Sequence, residues 1–179
     1  MKIGVLALQG SVSEHRLTME QLGVEVVEVR EPKDMEGLEG MIMPGGESTT
    51  LRKLLINSGL WKIISDSCIP IMATCAGAIL VGKSNDETFE KMDFEINRNY
   101  YGRQKDSFEK DIRIENDKAF RGVFIRAPAI TSLGPKTEAI AWDDDMVVGC
   151  KMNKNMALTF HPELTDDSRF HEMWLDEVK

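Results

Sequence analysis

Residues 69–81, IPIMATCAGAILV, constrain this chain more than any other stretch. The first apolar run is too short for most helices, is punctuated by Pro70, and reads as a buried strand. Ala76-Gly77-Ala78-Ile79-Leu80-Val81 can then begin a helix packed back onto the sheet, which leaves Cys75 in the tight turn between them. A nucleophile elbow has this build. Small residues on both sides let strand and helix approach closely, hold the thiol on a sharp turn, and aim main-chain N–H groups at whatever it attacks. The alternative is a small, inert core cysteine.

The flanking sequence supplies the sheet. Residues 2–8 form a hydrophobic strand, Gln9-Gly10 turns it, and Ser11 with Glu14 has the spacing of a capping box for a helix reaching about Leu22. Gly23 ends that helix, residues 24–29 form a second strand, and Met41-Ile42-Met43 a third. Strand, helix, strand, strand with short connections opens a doubly wound parallel sheet. Pro44-Gly45-Gly46-Glu47-Ser48-Thr49-Thr50 follows at a strand's carboxyl end, where open α/β sheets bind ligands. Ser48 or Thr49 can cap the next helix, residues 50–58, with Gly59 as its stop. Pro-Gly-Gly is otherwise a plain turn, and without a Gly-Lys-Ser/Thr ending it is no phosphate loop.

A short helix over residues 60–67 leads into the elbow, and residues 83–91 form a polar surface loop. Residues 94–97 read as a strand before Arg98-Asn99-Tyr100-Tyr101-Gly102-Arg103-Gln104. An arginine there can hold a substrate carboxylate by a bidentate fork, or it can form a surface salt bridge. Residues 108–114, 122–126, 137–142, 146–152 and 156–160 are short β runs. Asp143-Asp144-Asp145 and Asn153-Lys154-Asn155 mark hairpin turns, so the second half extends the sheet in mixed fashion. The last run enters Phe160-His161-Pro162-Glu163-Leu164. Pro162 biases His161 to an extended backbone, where residues two apart share a face, so Glu163 can hold one imidazole nitrogen while the other meets a thiol. Asp167 or Ser168 caps a terminal helix through residue 177; His15, in the first turn of its helix, is read as a solvent or interface histidine, and His171 as a surface residue rather than a catalytic one.

The 179 residues fit one domain spanning 1–179. A net charge of −8 with no basic block argues against a nucleic-acid or anionic-membrane surface. The chain enters a strand at once, with no basic leader and no apolar run near membrane-spanning length, so neither export nor membrane insertion is expected. Three scattered cysteines give no disulfide framework and fit a reducing cytoplasm. The three histidines are not at ligand spacing from each other or from a cysteine, so neither metal nor cofactor is expected.

Cys75 on an elbow, a Pro-Gly-Gly loop at a neighbouring strand end, and His-Pro-Glu near the C-terminus together resemble the class I, triad-type glutamine amidotransferases. LALQG, PGGESTT, TCAG, RNxxGRQ, FIRAP and FHPELTDD are similar, in order over residues 6–167, to the glutaminase subunits of pyridoxal 5′-phosphate synthase. That resemblance implies a flavodoxin-like α/β fold and hydrolysis of L-glutamine for a separate synthase subunit. It implies Cys75 as nucleophile, His161 as base and later acid, and Glu163 as orienting carboxylate. Gly46, Glu47, Ser48, Arg98, Ile125 and Arg126 would line the glutamine site, with Gln9, Gly46 and Ala76 at the oxyanion hole. The elbow departs from the family in reading Ala73-Thr74-Cys75 where glycine is usual at the first position, and the loop before Phe94 is short. A glutaminase of purine or histidine synthesis, or a non-catalytic regulatory protein on the same scaffold, are the alternatives; RNxxGRQ and FIRAP speak against the first, the intact triad against the second.

Overall fold

The computed structural model describes residues 1–98, 100 and 107–179. Asn99 and residues 101–106, and with them the Gly102-Arg103-Gln104 part of the arginine motif, lie outside the described residues. In chain order the elements are β1 (Lys2–Leu6), α1 (Val12–Gln21), β2 (Glu25–Val29), β3 (Gly40–Met43), α2 (Ser48–Asn57), α3 (Leu60–Asp66), β4 (Ile71–Thr74) and α4 (Ala76–Val81). The second half adds β5 (Phe94–Asn97), β6 (Ser107–Ile114), β7 (Phe120–Ile125), β8 (Ala129–Leu133), β9 (Glu138–Asp143), β10 (Met146–Met152), β11 (Asn155–Leu158) and α5 (Arg169–Val178).

Nine strands form one sheet in the order β2-β1-β3-β4-β11-β10-β9-β6-β7, with β5 and β8 paired apart from it. The first five are mutually parallel. From β11 onward each neighbour is antiparallel, so the sheet is mixed as the hairpin turns imply. The β5–β8 pair was not legible, because residues 129–133 are a short run between Pro128 and Gly134-Pro135.

Side-chain alternation divides the core between the two faces of the parallel half. Ile3, Val5, Ile42 and Met72 pack toward Met19 of α1 and Phe170 and Trp174 of α5. Met41, Met43, Ile71 and Ala73 pack toward Leu51, Leu55, Leu60, Ile64 and Ala78 of α2, α3 and α4. Helices therefore cover both faces, as a parallel sheet requires. Ala73 is fully buried between its register partners Met43 and Ala157, so its extra methyl is part of the core.

Two helix starts differ from expectation. The Ser11 side chain makes no capping bond, and Glu14 accepts from the Ser13 hydroxyl instead. At α2 the cap is Glu47 rather than Ser48 or Thr49: its two oxygens accept the Thr49 and Thr50 N–H groups at 3.0 and 2.7 Å. A carboxylate there also meets the positive end of the helix dipole. Among the described residues no helix is long and apolar enough to cross a membrane.

Candidate active site

The carboxyl ends of β1, β3, β4 and β11 lie side by side, and each delivers a segment to one place: Gln9, the Pro-Gly-Gly loop, Cys75 and His161. At the end of β4 the chain reverses abruptly. Cys75 has φ 49° and ψ −109°, a conformation costly for a residue with a Cβ and sustained only by its surroundings. Its N–H is fixed to the Leu158 carbonyl at 2.8 Å, and α4 begins at Ala76. The helix can start so close to β3 because residue 77 is glycine; a Cβ there would fall 2.1 Å from the Met43 carbonyl oxygen. Cys75 is buried but not wholly sealed, at 5% exposure.

His161 follows β11 and is tied by its N–H to the Val123 carbonyl of β7 at 2.8 Å. Its Nδ1 lies 2.7 Å from Glu163 Oε1. A carboxylate only accepts, so Nδ1 donates and Nε2 is left for the Cys75 thiol, which is hydrogen-bonded to the ring. The expected contact is present by a different route. His161 is half-extended, at φ −109° and ψ 86°, but Pro162–Leu164 forms a turn of 3₁₀-helix that curls Glu163 back under the ring. Burial alone would depress the His161 pKa, yet the bonds to Cys75 and Glu163 outweigh it and raise the value to about 10. Burial would likewise push the Glu163 carboxyl up, but His15 and His161 together bring it down to about 2. The pair is thus a charged carboxylate beneath a strongly basic imidazole.

The loop after β3 presses on this pair. A Cβ on Gly45 would stand 2.7 Å from His161 Cε1 and 3.0 Å from Cys75 Cβ. Gly46, at φ 132°, leaves its space to the Gln9 side chain, whose Oε1 accepts the Glu47 N–H at 2.9 Å. Gln9 therefore grips the loop beside the elbow. Glu47 is also paired with Arg98 at 2.8 Å; burial would raise its pKa, but the Thr50 and Thr49 donors and the Arg98 charge lower it to about 2. Arg98 in turn bonds Thr49 Oγ1 at 2.7 Å and Asp86 at 3.2 Å, so its guanidinium is held by three side chains, two from the start of α2 and one from the loop before β5. Ser48 is buried in the first turn of α2. Cys75 Sγ also lies 3.7 Å from the Ile125 carbonyl oxygen, which brings the end of β7 over the nucleophile. Arg126 follows, exposed, with φ 44°.

Two histidines expected at the surface are instead wholly buried beneath the triad. His15 Nδ1 lies 3.0 Å from His171 Nε2, and His15 Nε2 lies 3.3 Å from Thr74 Oγ1 and 3.4 Å from Glu163 Oε2. The overlooked signal is helical spacing. His171 sits within the apolar stripe Phe170, Trp174, Leu175 and Val178, and His15 is four residues before Met19, so each points at the sheet. Desolvation keeps both neutral at pH 7, depressing His15 and taking His171 down to about 3. The remaining cysteines are remote in character: Cys68 is exposed, and burial pushes Cys150 up to about 12.

Comparison with known proteins agrees with this geometry. Proteins named pyridoxal 5′-phosphate synthase subunit PdxT are similar over nearly the whole chain. That of Methanosarcina barkeri is 43% identical, covering 99% of this chain and 98% of the relative. That of Pyrococcus furiosus is 44% identical over 99% of each, and that of Methanocaldococcus jannaschii 47% identical over 93% and 92%. A crystal structure of a glutamine amidotransferase superposes with a TM-score of 0.91 at 38% identity, covering 98% of both chains. A second glutamine amidotransferase, from Thermotoga maritima, shares the fold at TM-score 0.62 and 13% identity, covering 98% of this chain and 81% of that one. Residues 5–179 match the SNO glutamine amidotransferase family, and the chain belongs to that family.

Proposed function

We propose that this chain is the glutaminase subunit of a pyridoxal 5′-phosphate synthase, hydrolysing L-glutamine to L-glutamate and supplying the ammonia to a separate synthase subunit. The observation that carries the reading is Cys75 on its strained elbow, bonded to an imidazole whose other nitrogen is held by Glu163. His161, strongly basic and so proton-bearing at neutral pH, carries the proton given up by the Cys75 sulfur, and the thiolate attacks the glutamine carboxamide carbon. The developing oxyanion is received by N–H donors at Gly46 and Ala76, with Gln9 holding the loop. His161 returns the proton to the leaving nitrogen, ammonia departs, and a thioester remains. Water, deprotonated by His161, then releases glutamate and restores the thiol. Glu47, Ser48, Arg98, Ile125 and Arg126 form the substrate's surroundings, with Arg98 the group suited to the substrate's α-carboxylate.

No metal or cofactor enters these steps. One sheet runs through both halves, which supports treating residues 1–179 as a single glutaminase domain. Three free cysteines support a cytoplasmic setting. The test is glutamine hydrolysis by the purified chain on its own and with its synthase subunit. Ammonia and glutamate released in equal amounts, and lost in Cys75→Ser, are expected; hydrolysis that survives the substitution would refute the assignment.

A further inference from the structure

Among the described residues, the buried side-chain atoms without a hydrogen-bond partner are Asp143 Oδ1, Glu163 Oε2 and His171 Nδ1. Asp143 is paired with Lys110. The other two stand at opposite ends of one chain of groups, Glu163, His15 and His171, lying behind the triad with every side chain wholly or nearly buried. Such a line of polar groups in a core is costly unless it is internally satisfied. The protonation pattern is therefore restricted.

Two neutral arrangements can satisfy the 3.0 Å contact between His15 Nδ1 and His171 Nε2. If His15 donated, its Nε2 lone pair could accept the Thr74 hydroxyl but would also face the Glu163 carboxylate, and His171 would bury an N–H at Nδ1 with nothing to receive it. If His171 donates from Nε2, His15 carries its proton on Nε2. That N–H points between Glu163 Oε2 at 3.4 Å and Thr74 Oγ1 at 3.3 Å, and the group left over is a lone pair at His171 Nδ1. Buried orphan N–H groups are rarer than under-satisfied acceptors, and an N–H facing a carboxylate replaces a repulsive contact by an attractive one. The second arrangement is favoured on both counts. The charges around His15 are Glu163 and His161 from the His-Pro-Glu turn and Glu14 from its own helix, with Thr74 and His171 the polar neighbours on β4 and α5.

We propose that His15 and His171 are positioning residues of the glutaminase site. His171 fixes the tautomer of His15, and the His15 Nε2–H holds the rear oxygen of Glu163, so that the carboxylate orienting His161 is itself oriented. The same N–H reaches the hydroxyl of Thr74, the residue immediately before the nucleophile, and so braces both halves of the catalytic pair from α1. This rests on the glutaminase reading above.

The test uses the full chain with its synthase subunit. His15→Leu, which keeps the bulk and removes the N–H, should lower kcat for glutamine hydrolysis about ten- to a hundredfold while KM stays within about twofold. His15→Gln, whose amide can offer an N–H near the same place, should recover most of that loss. Nitrogen-15 NMR of the histidine-labelled wild-type chain should show neutral His15 protonated at Nε2. Equal kcat in the Leu and Gln variants, whether impaired or normal, or a proton on Nδ1 of His15, would overturn the proposal. If His15→Leu does not fold, the Gln variant, expected near wild-type kcat, and the NMR tautomer decide it. A wild-type complex without glutaminase activity would fail the functional reading instead, and the tautomer would still be measurable.

Discussion

Cys75, His161 and Glu163 differ in how replaceable each is. Cys75→Ser changes little volume but removes the sulfur nucleophile, so glutamine turnover should disappear while far-UV and near-UV circular dichroism remain those of the wild type. His161→Asn should be equally inactive, since the imidazole bonded to Cys75 is the base that the reaction uses. Glu163→Gln should keep a residue of activity, because an orienting group costs less to lose than the base it orients; equal and complete loss in all three variants would assign Glu163 a larger role. The triad was legible because Cys75 and His161 sit in short motifs whose local chemistry is distinctive. The reason for the Glu163 contact was not legible: face-sharing in an extended strand suggested it, and a 3₁₀ turn after Pro162 produces it. His15 and His171 could not be paired from sequence at all, being 156 residues apart and joined only by the packing of α1 and α5 on one face of the sheet.

At the scale of elements the elbow depends on the approach of α4 to β3. Gly77→Ala would force a methyl to within 2.1 Å of a backbone oxygen, so β3 or α4 must move. The expected cost is about 1–3 kcal/mol in urea unfolding, with glutaminase activity lost because Cys75 moves too. Gly37→Ala is the control: its φ of 72° carries the left-handed penalty of about 1–2 kcal/mol, but no atom lies within 4 Å of the new methyl, so activity should persist. The Gln9 clamp on the Pro-Gly-Gly loop leads to a second expectation. If docking of the synthase subunit completes the oxyanion donors through this loop, the subunit should raise kcat more than it lowers KM, since such donors act on the transition state. Gln9→Ala should remove most of that stimulation without changing the alkylation rate of Cys75 in the isolated chain; full stimulation in the variant would remove Gln9 from the switch. The strands and helices of the parallel half were legible from their apolar runs and glycine stops. The caps were not, because a glutamate at residue 47 and a serine at residue 11 compete for roles that only the folded loop decides.

Across the molecule the buried histidines set opposing pH dependences. His161 is raised above its unfolded value of 6.5, so its contribution to stability is complete below that pH and is lost as pH rises toward about 10. His15 and His171 are depressed, so theirs is complete above 6.5 and is lost as pH falls, for His171 toward about 3. Stability from urea unfolding should therefore peak near pH 6.5 and decline on both sides. His171→Phe should make the acid side shallower, the parts owed to His15 and to the lowered Glu163 and Glu47 carboxyls remaining, and leave the alkaline side, whereas an unchanged acid limb would mean that His171 is not held neutral.

The central claim, that Cys75 is a nucleophile activated by His161 and Glu163 in a glutamine site, is tested most directly by covalent labelling. The chain with its synthase subunit is treated with a diazoketone analogue of glutamine and digested for mass spectrometry. One adduct is expected, on Cys75, slowed by added glutamine and nearly absent in His161→Asn. An adduct on Cys68 or Cys150, or labelling of Cys75 at the same rate in His161→Asn, would contradict it.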